Sequence, residues 1–288
     1  MSCTQTLRGR KRPLCGAMMV LLVAGALSPR GADAQQSGDA ENVELAKKLS
    51  NPVASLISVP FQFNYDQKIG PADDGHKTYL NFQPVIPIHL SEDWTMISRT
   101  ILPVVSQSDI SPGSGHQSGL GDITQSLFFS PARPTGSGLI WGAGPAFLIP
   151  TATDGLLGSK KWGLGPTAVL LKQSHGWTYG VLANHIWSVA SVRSHDPSHP
   201  DVSSTFIQPF LSFTTPTAWT YGLNAESSYD WKHHQWVVPV NITVAKLTRV
   251  GTLPVSFTGG VRYWAADTPN SPKGWGFRLV ATLLLPQH

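Results

Sequence analysis

The chain has 288 residues, of which 13% are charged, 41% are hydrophobic and ten are Trp. A typical soluble domain carries about 25% charged residues, so this composition favours a surface that faces lipid, with a soluble β-sandwich as the alternative. The formal net charge of +4 equals that of residues 1–34, which hold five Lys or Arg and one Asp. The remainder is neutral, which argues against a nucleic-acid partner.

Residues 1–34 have the three parts of a secretory signal peptide. A basic segment at residues 8–12 precedes an apolar stretch from Leu14 to Leu27, and Ala32-Asp33-Ala34 forms an A-x-A cleavage site. The apolar stretch is shorter than a typical spanning helix, which leaves an uncleaved anchor as the alternative. Both cysteines, Cys3 and Cys15, lie within this signal, so the chain that follows has no thiol for a disulfide or a metal.

Residues 35–52 are polar and then weakly helical. The stretch Asn42–Leu49 could form two helical turns, and Asn51-Pro52 would end them because the residue before proline disfavours the helical conformation. We expect a periplasmic N-terminal segment that is partly helical. The alternative is a small plug that enters the domain that follows.

Residues 53–288 alternate apolar and polar positions in twelve segments that have the length of β-strands. The predicted strands are 53–65, 77–89, 94–107, 119–130, 138–150, 161–173, 176–188, 203–215, 218–230, 235–246, 254–264 and 274–285. The breaks between them alternate long and short, except that the ninth, Trp231–His234, is short where a long one is expected. We therefore predict an all-β fold, a transmembrane antiparallel β-barrel of about twelve strands with short periplasmic turns.

Alternation also assigns the two faces of each strand. In 176–188, Trp177 and Tyr179 share one face and Asn184 lies on the other. Aromatic residues at the strand ends are typical of the two interfaces of a membrane, so the apolar face is expected to contact lipid.

Proline within the strands is the feature that fits a barrel least well. A proline lacks the backbone N–H of a sheet ladder, and a closed barrel has no edge strand to accommodate it. We infer local bulges or kinks that bend the wall or open it sideways. The prolines concerned are Pro60, Pro84, Pro103, Pro145, Pro166, Pro209 and Pro239.

Polar residues on the inward faces are the candidates for function, because charges inside a barrel tune its selectivity. Arg99 shares a face with Ile97 and Ile101, so its direction is left open. One interpretation is a constriction that selects solutes, and the other is a polar network that fills a narrow barrel. The inward candidates are Asp122, Glu226, Arg262, Arg278, Gln62, Asn81, Gln83, Asn184, Gln208 and Asn241.

The sequence gives weak support to catalysis and to a metal site. His185 shares a face with Trp177 and Tyr179, and a lipid hydrolase would need a serine partner for it on a neighbouring strand. No nucleophile motif surrounds any serine. The loop histidines lack the fixed spacing of a zinc site, so no metal and no cofactor are predicted. These loop residues are His195, Asp196, His199 and His233-His234.

Five stretches resemble a known family. It comprises the outer-membrane transporters named for the meta-cleavage (MetA) pathway of phenol degradation. The resemblance spans nearly all of the chain after the signal and implies an outer-membrane β-barrel that passes small, aromatic or hydrophobic compounds. It offers no catalytic residues. The matching stretches are 45–62, 80–87, 119–123, 141–145 and 274–278.

The predicted function is that of an outer-membrane channel for passive passage of small molecules in a Gram-negative cell. The predicted partners are outer-membrane lipid, the small-molecule solute and the barrel assembly machinery. A lipid-hydrolysing barrel and a structural barrel with no open pore are the alternatives.

Overall fold

The computed structural model describes residues 30–192 and 200–286, with side chains from residue 40. The described residues form one α-helix, α1 (Arg30–Leu49), a short 3-10 helix (Gly155–Leu157) and fifteen strand segments. The strands are β1 Ile57–Ile69, β2 Gly75–Phe82, β3 Val85–His89, β4 Trp94–Ser108, β5 His116–Leu120, β6 Ile123–Pro131, β7 Leu139–Ile149, β8 Lys161–Ser174, β9 Trp177–Ser191, β10 Ser203–Thr214, β11 Trp219–Ala225, β12 Ser227–Asp230, β13 Gln235–Val250, β14 Leu253–Ala266 and β15 Gly274–Leu285.

The strands form a closed antiparallel barrel of twelve strands, which confirms the predicted fold. Three strands are interrupted, because β2 and β3 both pair with β1 and β4, β5 and β6 both pair with β4, and β11 and β12 both pair with β10 and β13. The barrel closes where β1 pairs with β15 from Ile57↔Leu285 to Tyr65↔Phe277. Closure leaves no unpaired sheet edge, which a barrel in lipid requires.

The connections divide the barrel into two different ends. The short-turn end carries turns at 90–93, 132–138, 175–176, 215–218 and 251–252 together with the start of β1, and the long-loop end carries the other six connections. The ninth connection, 231–234, is as short as the sequence predicts. In the two-residue turn, His175 and Gly176 both have positive φ, at 51° and 85°, as a hairpin turn of this length prefers.

The first predicted strand and the loop after it need correction. β1 starts at Ile57 rather than residue 53, because Ala54 and Leu56 donate their N–H groups to carbonyls of their own turn. At the other end β1 continues to Ile69, and β2 starts at Gly75. Residues 66–69 therefore belong to the wall, although the sequence favoured a loop there.

The outer wall is apolar between two belts of aromatic rings. At the short-turn end Trp94 packs edge-on against Trp141, with centroids 5.9 Å apart. At the long-loop end Tyr263 packs against Trp275 at 4.9 Å. The exposed residues between the belts include Phe61, Leu80, Leu170, Val181, Leu211, Leu223, Ile242, Phe257 and Leu279. No helix among the described residues has the length and apolarity to cross a membrane.

Four of the seven in-strand prolines lie in or opposite an interruption of the sheet, namely Pro60, Pro84, Pro103 and Pro239. The other three, Pro145, Pro166 and Pro209, pair with their neighbours without a shift of register. At each interrupted strand, one N–H next to the gap donates to a proline carbonyl on a neighbouring strand, and that proline has no N–H to donate in return. The three bonds run from Gln83 to Pro60 at 3.0 Å, from Gly121 to Pro103 at 2.9 Å and from Glu226 to Pro239 at 2.9 Å. β13 also shifts register between Val238 and Pro239.

Helix α1 packs into the mouth of the barrel at the short-turn end. Ala46 is buried in one cluster with Leu247 and Leu284, which point inward from β13 and β15. Glu41 pairs with Arg249 at 2.6 Å, and Gln173 donates to the carbonyl of Lys47 at 2.9 Å. These contacts join α1 to the inner wall of the barrel.

The expected helix at Asn42–Leu49 is present, and α1 begins earlier, at Arg30. Residues 1–29 lie outside the described part of the chain, so the signal peptide stays a prediction.

Candidate functional site: a charged layer and a cavity in the barrel lumen

Strand register brings the two predicted inward arginines together. Opposed residues of an antiparallel pair share a face, so the pairs Asn241↔Arg262 and Asn64↔Arg278 all point into the lumen. Arg262 and Arg278 have relative exposures of 3% and 5%. Buried arginines need acceptors for their donors, and the lumen supplies them.

Arg262 is bonded on every side of its guanidinium group. Its Nε donates to Asn241 at 3.0 Å, and its Nη1 donates to Asp66 at 3.1 Å and to the Tyr79 hydroxyl at 2.5 Å. Its Nη2 donates to Glu226 at 3.1 Å. One side chain thereby joins four strands across the lumen.

Arg278 binds the same glutamate, Glu226, through both of its terminal nitrogens. Its Nη1 and Nη2 donate to the two oxygens of Glu226, each at 2.8 Å, and its Nε donates to Asn64 at 2.8 Å. A bidentate pair of this kind fixes geometry as well as charge. Glu226 reaches it from the interruption between β11 and β12, where the backbone leaves the ladder.

The structure resolves the direction of Arg99, which points inward. It is paired with Val85 on β3 and with Ser126 on β6, and both line the lumen. Its Nη2 donates to Gln83 at 3.4 Å.

The polar residues that span the lumen are called the charged layer below. Its members are Asn64, Asp66, Lys77, Tyr79, Gln83, Arg99, Glu226, Asn241, Arg262 and Arg278.

A cavity of about 610 Å³ lies between the charged layer and the short-turn end. At the short-turn end the cavity is lined by Ala46 and residues 48–52. On the side of the charged layer it is lined by Tyr79, Arg262 and Arg278. This volume lies within the ~300–1,000 Å³ of common small-molecule sites. Eight of the predicted inward residues line it: Gln62, Asn81, Gln83, Asn184, Gln208, Glu226, Arg262 and Arg278.

One part of the lumen wall is apolar. A buried cluster joins Val53 to Ile97, Phe128 and Leu182, and Phe206 and Phe210 pack against it. Val53 belongs to the turn before β1, so this turn covers the apolar side of the lumen. The cavity therefore has an apolar wall on one side and a polar wall on the other.

Two predicted inward residues do not line the cavity. Asn241 is fully buried within the charged layer, where it also donates to Asn224 at 2.9 Å. Asp122 lies apart from the layer, at the interruption between β5 and β6. Its carboxylate accepts the N–H of Ala152 at 3.1 Å and both the N–H and the hydroxyl of Ser159, at 2.6 and 2.8 Å. Asp122 therefore holds the 150–160 connection in place.

Alternation could have identified several residues that the sequence prediction missed. Asn64 and Asp66 have the same parity as Gln62, and Lys77 and Tyr79 have that of Asn81. Asp66 and Lys77 face each other on β1 and β2. Asp66 lies one residue beyond the end of the predicted first strand, 53–65.

His185 lies on the outer face, as predicted. Its Nδ1 is 2.7 Å from the hydroxyl of Thr205, which also accepts a bond from the Trp231 indole at 2.8 Å. Its Nε2 is buried without a partner, and its ring packs on Trp187 at 4.1 Å. The hydroxyl beside this imidazole belongs to a threonine.

No group of three or more His, Cys, Asp and Glu side chains within 30–192 and 200–286 is arranged to hold a metal. His195, Asp196 and His199 lie outside the described residues. His233 is paired with Asp230 at 2.7 Å.

At the long-loop end, a hydrogen bond from Lys161 lowers the pKa of Asp201 from its ordinary value.

Comparison with known proteins shows similarity of fold. No protein-family model matches the chain, and no curated protein matches it in sequence. Among solved structures, it is similar to the COG4313 outer membrane channel from Pseudomonas putida F1, with a TM-score of 0.62 and 15% identity over 81% of this chain and 97% of that one.

Two further structures are more distant. The NanC porin has a TM-score of 0.47 and 10% identity, over 80% of this chain and 100% of that one. The outer membrane phospholipase dimer of Salmonella typhi has a TM-score of 0.46 and 8% identity, over 86% of this chain and 98% of that one. The finer resemblance to the meta-cleavage family stays a prediction.

Proposed function

We propose that this protein is an outer-membrane channel through which small molecules pass passively. The observation that carries the proposal is a closed barrel with an apolar outer wall that encloses a cavity of about 610 Å³ with both polar and apolar lining residues. An apolar wall with aromatic belts suits lipid, whereas a polar lumen suits a solute in water. The fold that it shares with the Pseudomonas putida channel supports the same function.

The location follows from the same features. Export by the predicted signal peptide would bring the chain to the barrel assembly machinery, and the barrel would contact outer-membrane lipid. The short-turn end would face the periplasm, which places α1 at the periplasmic mouth. The solute, small and aromatic or hydrophobic according to the family resemblance, would move down its own gradient.

Conductance of single molecules in planar bilayers tests the proposal. The purified, folded protein is expected to give discrete current steps, and liposomes that contain it are expected to take up small solutes. Absence of both current and solute flux from folded protein would overturn the proposal and favour a structural barrel. Phospholipid turnover that is lost in His185→Ala would favour a hydrolase instead.

A further inference from the structure

The charged layer has an excess of positive charge. It contains four basic residues, Lys77, Arg99, Arg262 and Arg278, and two acidic ones, Asp66 and Glu226. Both carboxylates are engaged by Arg262 or Arg278. The basic side chains outnumber the acidic ones by two, and an excess of positive charge in a lumen attracts anions.

Arg99 is attracted by the charge of Glu226 from a distance but makes no direct ion pair with a carboxylate among the described residues. Within the described residues, no ion pair of 4.0 Å or less reaches it. Its hydrogen bond to Gln83, at 3.4 Å, is much longer than the ~2.7–2.9 Å of charge-assisted bonds. A guanidinium group has five N–H donors in a fixed fork that matches a carboxylate, so most of its bonding capacity is free for a ligand.

The surroundings of Arg99 combine the polar partners Gln83 and Ser126 with apolar residues. Ile97 and Ile101 flank it along β4, and Val85 is its partner on β3. The cavity that Arg99 lines is also lined by Leu182, Phe206 and Phe210. A cation beside apolar and aromatic side chains favours a ligand that has both an anionic group and a hydrocarbon body.

We propose that the cavity binds an amphipathic monoanion, a carboxylate attached to a single aromatic ring or a short aliphatic chain. The carboxylate is held by the guanidinium group of Arg99, and the amide groups of Gln83 and Asn81 lie on the same wall. The hydrocarbon body lies toward Leu182, Phe206 and Phe210. This inference rests on the proposed function, because the bound anion is a solute in passage.

The test compares benzoate with benzyl alcohol, a neutral compound of nearly the same shape. Isothermal titration of the full-length protein in detergent measures the binding of each compound to the wild type, Arg99→Gln and Arg99→Lys. We expect benzoate to bind the wild type more tightly than benzyl alcohol does. Arg99→Gln should weaken benzoate binding about ten- to a hundredfold, and Arg99→Lys should weaken it less, because lysine keeps the charge but loses the fork.

Arg133→Gln is the matched control, since Arg133 is an exposed arginine in the turn 132–138. Gel migration before and after heating checks that every variant is folded. Equal affinity of the wild type for the two compounds would overturn the inference, as would unchanged benzoate binding in folded Arg99→Gln or Arg99→Lys.

The two proposals can fail separately. Binding that depends on Arg99, without current or flux, would overturn the channel and leave the anion site standing. Channel current and solute flux, together with benzoate binding that is no tighter than benzyl alcohol binding, would overturn the anion site and leave the channel standing.

Discussion

Replacing Glu226 with alanine removes the acceptor that two buried arginines share. Glu226 accepts three bonds, two at 2.8 Å from Arg278 and one at 3.1 Å from Arg262. Removing one partner of a buried ion pair costs about 3–5 kcal/mol, because the other charge stays buried without compensation. Arg262 keeps Asp66, and the Glu226 side chain is 21% exposed, so we expect the lower end, about 3 kcal/mol.

The assay is denaturant unfolding of the protein in phospholipid vesicles, followed by tryptophan fluorescence. Glu92→Ala is the matched control, because Glu92 is exposed in the turn 90–93 and exposed charges contribute less than about 1 kcal/mol. Glu226→Gln keeps the shape of the side chain and should fall between the two variants. If Glu226→Ala loses no more free energy of unfolding than Glu92→Ala, the charged layer does not stabilise the barrel.

Three further predictions concern the lumen and its two ends. Arg262→Ala and Arg278→Ala should each shift the reversal potential toward cation selectivity, because each removes a positive charge from the lumen; unchanged potentials would mean that neither side chain is near the ion path. Deleting residues 35–49 should raise single-channel conductance, since Ala46 and Leu49 line the short-turn side of the cavity; equal conductance would show that α1 does not obstruct it. Asp122→Ala should speed proteolysis within 150–160 while the barrel keeps its heat-modifiable migration, because that carboxylate anchors the connection; an unchanged cleavage rate would contradict this role.

The wall could be predicted from sequence because strand alternation has a period of two residues. The same periodicity placed Asn184, Arg262 and Arg278 inward, as the structure shows. Arg99 could not be assigned, since its face also carries Ile97 and Ile101 and an inward face was expected to be polar. The lumen instead contains an apolar cluster around Val53, and Ile97 belongs to it.

Features that depend on two distant segments were not predictable. At the strand interruption, the N–H of Glu226 donates to the carbonyl of Pro239 on β13. That β13 lies beside this segment is a property of the closed sheet. Similarly, the weak apolar pattern of α1 indicates a helix but not the surface against which it packs. The predicted first strand ends at residue 65, whereas β1 continues to Ile69 and brings Asp66 into the wall.

The position of α1 has a consequence for the order in which the molecule is assembled. Ala46 packs against Leu247 and Leu284, which belong to β13 and β15, the last part of the barrel to be synthesised. Contacts between residues so distant in sequence form late, because a long loop must close before they are made. The surface that receives the helix is therefore complete only once β13 and β15 have joined the barrel.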